Sequence, residues 1–212
     1  MAIPSDQNVA VIKSWALPMS NDQRSGFGIT SSFSGNEIYF ADSNSNTIGR
    51  LDVDSNTITE WNVPTANSLP TSIKHHSGGN VYFIESNANT IGRLVPDTNT
   101  ITEWAIQSNS TSINSIALGF TGSNEIYFAD SNSNTIGRLN VDTNTITKWN
   151  VPTANSLPSS IKFDSTTGNV YFIESNANTI GRLAPFSNEF TEWKLPEKPS
   201  AIEIDSAGSI HY

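Results

Sequence analysis

The feature that most constrains this chain is a repeat of about 44 residues that runs through its 212 positions. The triplet Ile-Gly-Arg occurs four times, and its glycines are 43, 45 and 44 positions apart. The five tryptophans keep nearly the same spacing. A repeat of this length with strand-like content is typical of β-propellers and solenoids. The repeated positions are Gly49, Gly92, Gly137 and Gly181, and Trp15, Trp61, Trp104, Trp149 and Trp193.

Each repeat contains four short strand signals. In the second repeat, β-branched and aromatic residues cluster at 72–75, 81–84, 90–94 and 100–104. Gly, Asn, Asp and Pro separate these runs, which is the pattern of antiparallel strands joined by tight turns. Four strands in about 44 residues are the content of one propeller blade. We therefore predict one all-β domain over residues 1–212, a propeller of four-stranded antiparallel blades, with each tryptophan on an outermost strand between neighbouring blades.

The two ends of the chain predict how the ring closes. Residues 209–212 match the second strand of a blade, and residues 11–15 match a fourth strand. A third strand near Ala2 and Ile3 would pair with the last strand and remove the exposed edges. We expect five closed blades and a monomer; the alternative is an open fragment that forms a homo-oligomer. The predicted blades are 16–61, 62–104, 105–149, 150–193, and 1–15 together with 194–212.

The repeats also alternate in pairs. Residues 36–74 and 124–162 differ at four of 39 positions, and residues 80–94 and 169–183 are identical. This pattern indicates duplication of a two-blade unit, through recent or engineered amplification.

Charge and composition exclude several function classes. The formal net charge of −9, with no basic cluster to offset it, opposes binding to nucleic acid or an anionic membrane. The chain has no cysteine, which removes disulfides and thiolate chemistry. No apolar run approaches the ~20 residues of a membrane helix, and the first residues lack signal-peptide features. We expect a soluble protein, cytoplasmic in the form given.

Three segments of each repeat carry a family resemblance. In the second repeat they are Phe-Ile-Glu at 83–85, Ile-Gly-Arg-Leu at 91–94 and Ile-Thr-Glu-Trp at 101–104. The pattern resembles the repeat of the streptogramin B (virginiamycin B) lyase-like propellers. The resemblance implies seven-bladed enzymes that use histidines and glutamates on one face, with magnesium, to open a cyclic depsipeptide by elimination.

The histidines depart from that family pattern. The chain has only three, His75, His76 and His211, and none follows a strand-ending glutamate by two positions. His75 and His211 occupy strand positions that hold apolar or tyrosine residues in other repeats, and His76 falls in a turn on the opposite face from the glutamates. Because acid–base groups must converge within hydrogen-bond reach, we predict no catalytic residues, no metal site and no cofactor. Magnesium belongs only to the lyase alternative.

A second group of candidates is acidic and polar. One carboxylate ends the second strand of each full repeat, on the face of the long connections at 64–70 and 152–158. These side chains predict a ring of ligands for a cation or a polyol at the mouth of the channel. Alternatively, each carboxylate caps its own Ser-Asn hairpin or pairs with the next strand's arginine, Arg50, Arg93, Arg138 or Arg182. The candidate ligand-binding residues are Asp42, Glu85, Asp130, Glu174, Asn67, Ser68, Asn155 and Ser156.

The near identity of the repeats also bears on function. A catalytic site needs a blade that differs from its neighbours, and these blades hardly differ. We therefore favour a non-enzymatic binding or scaffold module, multivalent and lectin-like toward a glycan or another small molecule. An amplified scaffold without a ligand is a further possibility. The alternative is a streptogramin B lyase-like enzyme.

Overall fold

The computed structural model describes residues 28–106, 113–205 and 207–212, which form a series of antiparallel sheets. Four sheets have four strands each, and in every sheet neighbouring strands are also consecutive in the chain. A fifth sheet has two strands. The all-β fold and the four-stranded blades are therefore confirmed.

The strands are numbered in chain order. Blade 1 contains β1 (Gly28–Ser31), β2 (Glu37–Asp42), β3 (Thr47–Asp52) and β4 (Thr57–Asn62). Blade 2 contains β5 (Pro70–His75), β6 (Val81–Glu85), β7 (Thr90–Val95) and β8 (Thr100–Ala105), with a 3-10 turn at Pro96–Thr98. Blade 3 contains β9 (Ile113–Leu118), β10 (Glu125–Asp130), β11 (Thr135–Asn140) and β12 (Thr145–Asn150). Blade 4 contains β13 (Pro158–Asp164), β14 (Asn169–Glu174), β15 (Thr179–Ala184) and β16 (Glu189–Lys194), and the last sheet contains β17 (Glu203–Ile204) and β18 (Ile210–His211).

The glycine of each Ile-Gly-Arg triplet makes room for a phenylalanine. Phe83 lies directly opposite Gly92 on the neighbouring strand, and a methyl group on Gly92 would overlap the phenyl ring. Phe83 is fully buried, so the ring has little space to move. The same pair recurs in the other blades as Phe40–Gly49, Phe128–Gly137 and Phe172–Gly181.

The hydrophobic core lies between sheets rather than within them. Tyr39 and Ile48 of blade 1 pack in one cluster with Phe83 and Leu94 of blade 2. A second cluster joins blades 2 and 3, and a third joins blades 3 and 4. Each blade therefore buries its two faces only against its neighbours, as in repeat proteins generally.

Asparagines at the turn between the second and third strands hold the long connections in place. Asn46 has a φ of 57°, a left-handed conformation that asparagine tolerates better than most residues. Its side-chain nitrogen donates to the Thr65 carbonyl at 2.9 Å, and its Oδ1 accepts from the Ser68 backbone N–H at 2.9 Å. Asn134 makes the equivalent bonds to the connection between blades 3 and 4.

The described tryptophans lie on the fourth strands, as predicted. Trp61 is 9% exposed and packs in the cluster between blades 1 and 2. Trp193 is 43% exposed, because only the short β17–β18 sheet follows blade 4.

Closure of the ring stays a prediction. The segments assigned to the shared blade, Ala2, Ile3 and residues 11–15, lie outside the described residues. The C-terminal half of that blade is present as β17 and β18, which pair antiparallel. In the described ranges, no helix is long and apolar enough to span a membrane.

The substitution Gly92→Ala tests the phenylalanine–glycine pair. We expect a loss of roughly 1–3 kcal/mol in the free energy of unfolding, because the added methyl group overpacks a buried ring. Denaturant unfolding measures the loss. The double variant Gly92→Ala/Phe83→Leu should lose less than the sum of the two single variants. Gly78→Ala is the matched control, because its methyl group would meet His76 at no closer than 3.3 Å; an equal loss in both variants would contradict the packing explanation.

Deletion of residues 209–212 tests closure. It removes β18, the partner of β17, so we expect a larger fall in the melting temperature than four ordinary terminal residues produce. Native mass spectrometry of the intact chain should show a monomer. Closure is wrong if the truncated chain remains monomeric with an unchanged melting temperature.

Candidate functional site

The blades are of two kinds, which we name by the residue that ends the second strand. Asp42 and Asp130 end β2 and β10 in the Asp blades, 1 and 3. Glu85 and Glu174 end β6 and β14 in the Glu blades, 2 and 4.

The carboxyl groups of the Glu blades are buried without a well-formed hydrogen bond. Glu85 and Glu174 are both 0% exposed. None of their four carboxyl oxygens makes a well-formed hydrogen bond, although the Ser68 hydroxyl lies near Glu85 and the Ser156 hydroxyl lies near Glu174. Burial of an ionised group without compensation is costly, so the environment favours the neutral acid.

A second carboxylate lies beside each of these buried groups. Burial raises the pKa of Glu85 to about 7, and the charge of Glu103 on β8 adds to the rise, whereas the Ser68 hydroxyl opposes it. Burial likewise raises the pKa of Glu174 to about 7, with Glu192 on β16 as the second cause and Ser156 in opposition. The protonation of Glu85 and Glu174 therefore changes near neutral pH.

The outer carboxylate of each pair is held by a blade connection. The two oxygens of Glu103 accept from the backbone N–H and the hydroxyl of Thr65, each at 3.0 Å. Glu192 accepts the same two bonds from Thr153 at 3.2 and 2.9 Å. Both threonines lie in connections that arrive from the preceding Asp blade, so the pairs sit at a boundary between blades.

In the Asp blades the carboxylate instead caps its turn. Asp42 accepts from the backbone N–H groups of Asn44 and Ser45 at 3.0 and 3.1 Å. Asp130 accepts from the Ser133 N–H at 3.2 Å and forms an ion pair with Lys148 at 3.2 Å. The capping interpretation is therefore confirmed for the aspartates.

For the glutamates the capping interpretation is wrong, because their carboxyl oxygens do not bond to the turn. In the Asp blades, the arginines that were expected to pair with the aspartates pair with other residues. Arg50 pairs with Glu37 at 3.0 Å, and Arg138 pairs with Glu125 at 3.0 Å. The reason is position along the strand: Arg50 lies opposite Tyr39, three residues from Asp42, a distance of about 10 Å in an extended strand. The four arginines instead lie over the tryptophans of their own blades.

The structure brings some of the predicted ligand-binding residues together. Ser68 lies beside Glu85, and Ser156 lies beside Glu174. Asn67 and Asn155 adjoin these serines, and their carbonyl groups accept hydrogen bonds from asparagines of the neighbouring turn, Asn87 and Asn176. In the described ranges no three His, Asp or Glu side chains are placed to hold one metal ion, and the ring of carboxylates around the channel mouth stays a prediction.

The three histidines lie away from the carboxyl pairs. His75 ends β5 and contacts the rings of Phe33 and Tyr39. His76 is buried, and its Nε2 lies 2.8 Å from the Ser123 carbonyl oxygen of blade 3. His211 lies 2.9 Å from Asp205 and is the main cause of the lowered pKa of that carboxylate, about 2. The prediction that these histidines do not converge with the glutamates is confirmed.

The sequence interpretation missed Glu103 and Glu192. Both belong to the repeated Ile-Thr-Glu-Trp or Phe-Thr-Glu-Trp motif, and the exchange of Glu60 for Lys148 in the otherwise matching repeat was the signal that this position matters. Glu192 also faces a polar cleft of about 470 Å³ beside Thr153 and Lys194. The carboxyl pair of blade 4 therefore borders a space that a small ligand can enter.

The pKa values predict how stability depends on pH. Glutamates of the unfolded chain titrate near 4.5, whereas Glu85 and Glu174 titrate near 7 in the folded protein. The folded state therefore holds these protons more tightly, and their contribution to stability is lost as the pH rises from about 4.5 through about 7. The variant Glu85→Gln/Glu174→Gln should be more stable than the parent at pH 8, by roughly 1–3 kcal/mol per site, and should gain little at pH 4.5.

Thermal unfolding across this pH range measures the effect. Glu197→Gln, at an exposed position, serves as the control and should leave the pH profile unchanged. A gain that is equal at pH 4.5 and pH 8 would contradict the assignment of raised pKa values to these two carboxyl groups.

Solved structures of two lyases resemble this fold closely. A selenomethionine-substituted virginiamycin B lyase from Staphylococcus aureus is 31% identical with a TM-score of 0.76, over 86% of this chain and 60% of that protein. A catalytically inactive histidine-to-alanine variant of the same enzyme, solved with quinupristin, is also 31% identical with a TM-score of 0.76, over 87% and 61%. A streptogramin B lyase is 29% identical with a TM-score of 0.79, over 91% and 63%.

More distant structures share the fold alone. U3-55K is 11% identical with a TM-score of 0.65, over 78% of this chain and 50% of that protein. Among curated protein sequences, none matches this chain.

The chain spans about six tenths of the length of the lyases it resembles. The model of the virginiamycin B lyase family matches residues 8–212, nearly the whole chain. With this match and two structures at 31% identity, the chain belongs to the virginiamycin B lyase family.

Proposed function

We propose that this protein is a non-enzymatic binding module whose ligand is a glycan or another small polyol. The observation that carries the proposal is the placement of the histidines, all three of which are engaged away from the carboxyl pairs. General acid–base catalysis requires the acid and the base to lie within hydrogen-bond reach of the same substrate. His76 follows His75, which pairs with Val81 at one end of β6, whereas Glu85 lies at the other end of β6. The four-residue step from Val81 to Glu85 covers about 13 Å in an extended strand.

The related enzyme supports this argument. The Staphylococcus aureus lyase is catalytically inactive when one histidine is replaced by alanine. In this chain no histidine lies beside Glu85 or Glu174. The family fold does not by itself carry the activity of the relative, because function depends on the site rather than on the architecture.

The carboxyl pairs support a binding role. Glu85–Glu103 and Glu174–Glu192 occupy equivalent places in blades 2 and 4, each beside a connection rich in Asn and Ser. Carboxyl, amide and hydroxyl groups are the hydrogen-bonding partners that sugar hydroxyls need. Two equivalent sites on one body raise the avidity for a ligand that repeats, as glycans do.

A streptogramin B lyase-like enzyme is the second candidate. It is favoured by the family match and by the pKa values near 7, which suit groups that exchange protons at neutral pH. In the described ranges, no three acidic or histidine side chains are placed to hold a magnesium ion.

Two assays on the same preparation separate the candidates. We expect a glycan array to show binding that Glu103→Gln/Glu192→Gln weakens and Glu197→Gln leaves unchanged, because Glu103 and Glu192 are the partly exposed members of the carboxyl pairs. We expect mass spectrometry to show intact quinupristin after incubation with the protein. Linearised quinupristin whose formation stops on chelation would instead establish the lyase, and a blank result in both assays would leave an amplified scaffold without a ligand.

A further inference from the structure

The junctions between blades are of two kinds. Where an Asp blade precedes a Glu blade, the indole N–H of the tryptophan donates to an asparagine of the next blade: Trp61 to Asn99 at 2.8 Å and Trp149 to Asn188 at 2.7 Å. Where Glu blade 2 precedes Asp blade 3, the indole N–H of Trp104 makes no hydrogen bond to any described residue. Asn144, the counterpart of Asn99, lies across a cleft from Trp104.

The turns between the third and fourth strands differ between the two kinds of blade. In Asp blade 3, the backbone N–H of Val141 donates to the Asn124 carbonyl at 2.9 Å, which ties this turn to its own blade. Glu blade 2 has Pro96 at the same place, and proline has no N–H to donate. Its turn takes a 3-10 form, and Asn99 at its end reaches Trp61. Asn144 ends the turn that is bonded to its own blade, so it does not reach the indole N–H of Trp104 as Asn99 reaches that of Trp61.

The cleft that results has a volume of about 740 Å³ and lies between β8 and β12. Typical ligand sites enclose about 300–1,000 Å³, so this space accommodates a sugar of one or two rings. Trp104 and Ile146 form an apolar wall, and Ile146 is 37% exposed. Asn144 and Lys148 add a carboxamide and an ammonium group, whereas the side chain of Glu103 points to the other face of the sheet, toward Thr65.

The polar groups of the cleft are held in place. Lys148 is held by its ion pair with Asp130, and Asn144 ends a turn that the Val141 N–H ties to its own blade. Arg93 lies 5.3 Å from the centre of the Trp104 ring and covers one of its faces. A rigid aromatic wall between fixed hydrogen-bonding groups suits a ligand with an apolar face and a polar rim, which describes a pyranose ring.

We propose that the cleft between blades 2 and 3 binds a pyranose sugar, which stacks on Trp104 and hydrogen-bonds through its hydroxyls to Asn144 and Lys148. This inference rests on the proposed binding function and names a site and a ligand class for it. The corresponding cleft after blade 4 is smaller, about 310 Å³, and is bordered mainly by apolar and aromatic side chains such as Trp193, Leu195 and Tyr212. The sugar site is therefore assigned to the junction of blades 2 and 3.

The indole N–H signals report the site directly. The chain has five tryptophans, and Trp104→Phe identifies the signal of Trp104 in a proton–nitrogen correlation spectrum. The intact chain is titrated with the methyl pyranosides of glucose, mannose and galactose, and with N-acetylglucosamine. We expect at least one sugar to shift the Trp104 signal while the Trp61 signal, whose N–H is bonded to Asn99, stays in place.

Two asparagine variants form a matched pair. Asn99 and Asn144 have φ values of 54° and 56°, so glycine keeps both turns while it removes the side chain. Asn144→Gly should weaken sugar binding at least fivefold and leave the melting temperature unchanged. Asn99→Gly should leave the affinity unchanged and lower the melting temperature, because it removes the bond to Trp61.

The outcomes separate this inference from the proposed function. If no sugar shifts the Trp104 signal, or if Asn144→Gly binds as well as the parent, the cleft between blades 2 and 3 is not the site. The binding function then stands if the glycan array shows binding that Glu103→Gln/Glu192→Gln weakens. If the glycan array is also blank, both the proposed binding function and the proposed sugar site are wrong.

Discussion

The fold depends on how the chain passes from one blade to the next, and one asparagine in the central turn of the blade controls that passage. Asn46 adopts a left-handed conformation and binds the following connection at Val63, Thr65 and Ser68. A connection with several carbonyl and N–H groups cannot be buried unless those groups are paired. Because this asparagine pairs them, the next strand begins at a defined place, and the hydrophobic faces of successive sheets meet.

One methylene separates the chemistry of the two kinds of blade. Asp42 is short enough for its carboxylate to accept N–H groups of its own turn. Glu85 occupies the same place in an almost identical backbone, yet its carboxyl group is buried beside Glu103 without a well-formed hydrogen bond. A conservative exchange within a repeat thus converts a turn-capping charge into an acid whose pKa is about 7. Such groups are more often found at binding and catalytic sites than in ordinary turns.

Near identity of the blades does not make their boundaries identical. The junction of blades 1 and 2 is closed by the bond between Trp61 and Asn99, whereas the junction of blades 2 and 3 is an open cleft beside Trp104. The turns at the two junctions differ at one notable position, proline in one kind of blade and valine in the other, and the valine N–H ties its turn to its own blade. A duplicated pair of blades therefore has two kinds of junction, and the proposed sugar site lies at the open junction beside Trp104.

The sequence by itself determined the architecture. The tryptophans recur at a regular spacing, and each phenylalanine–glycine pair joins neighbouring strands of one sheet. The four-stranded blades were therefore predictable from periodicity alone. The partners of the charged and polar groups depend instead on distances between blades. Trp61 bonds to a residue 38 positions away, and His76 lies against a carbonyl 47 positions away. Only the tertiary structure decided these two contacts, because they form where two sheets meet. It also decided the Glu85–Glu103 pair, which lies within the sheet of blade 2, because the sequence does not show which carboxyl group becomes buried.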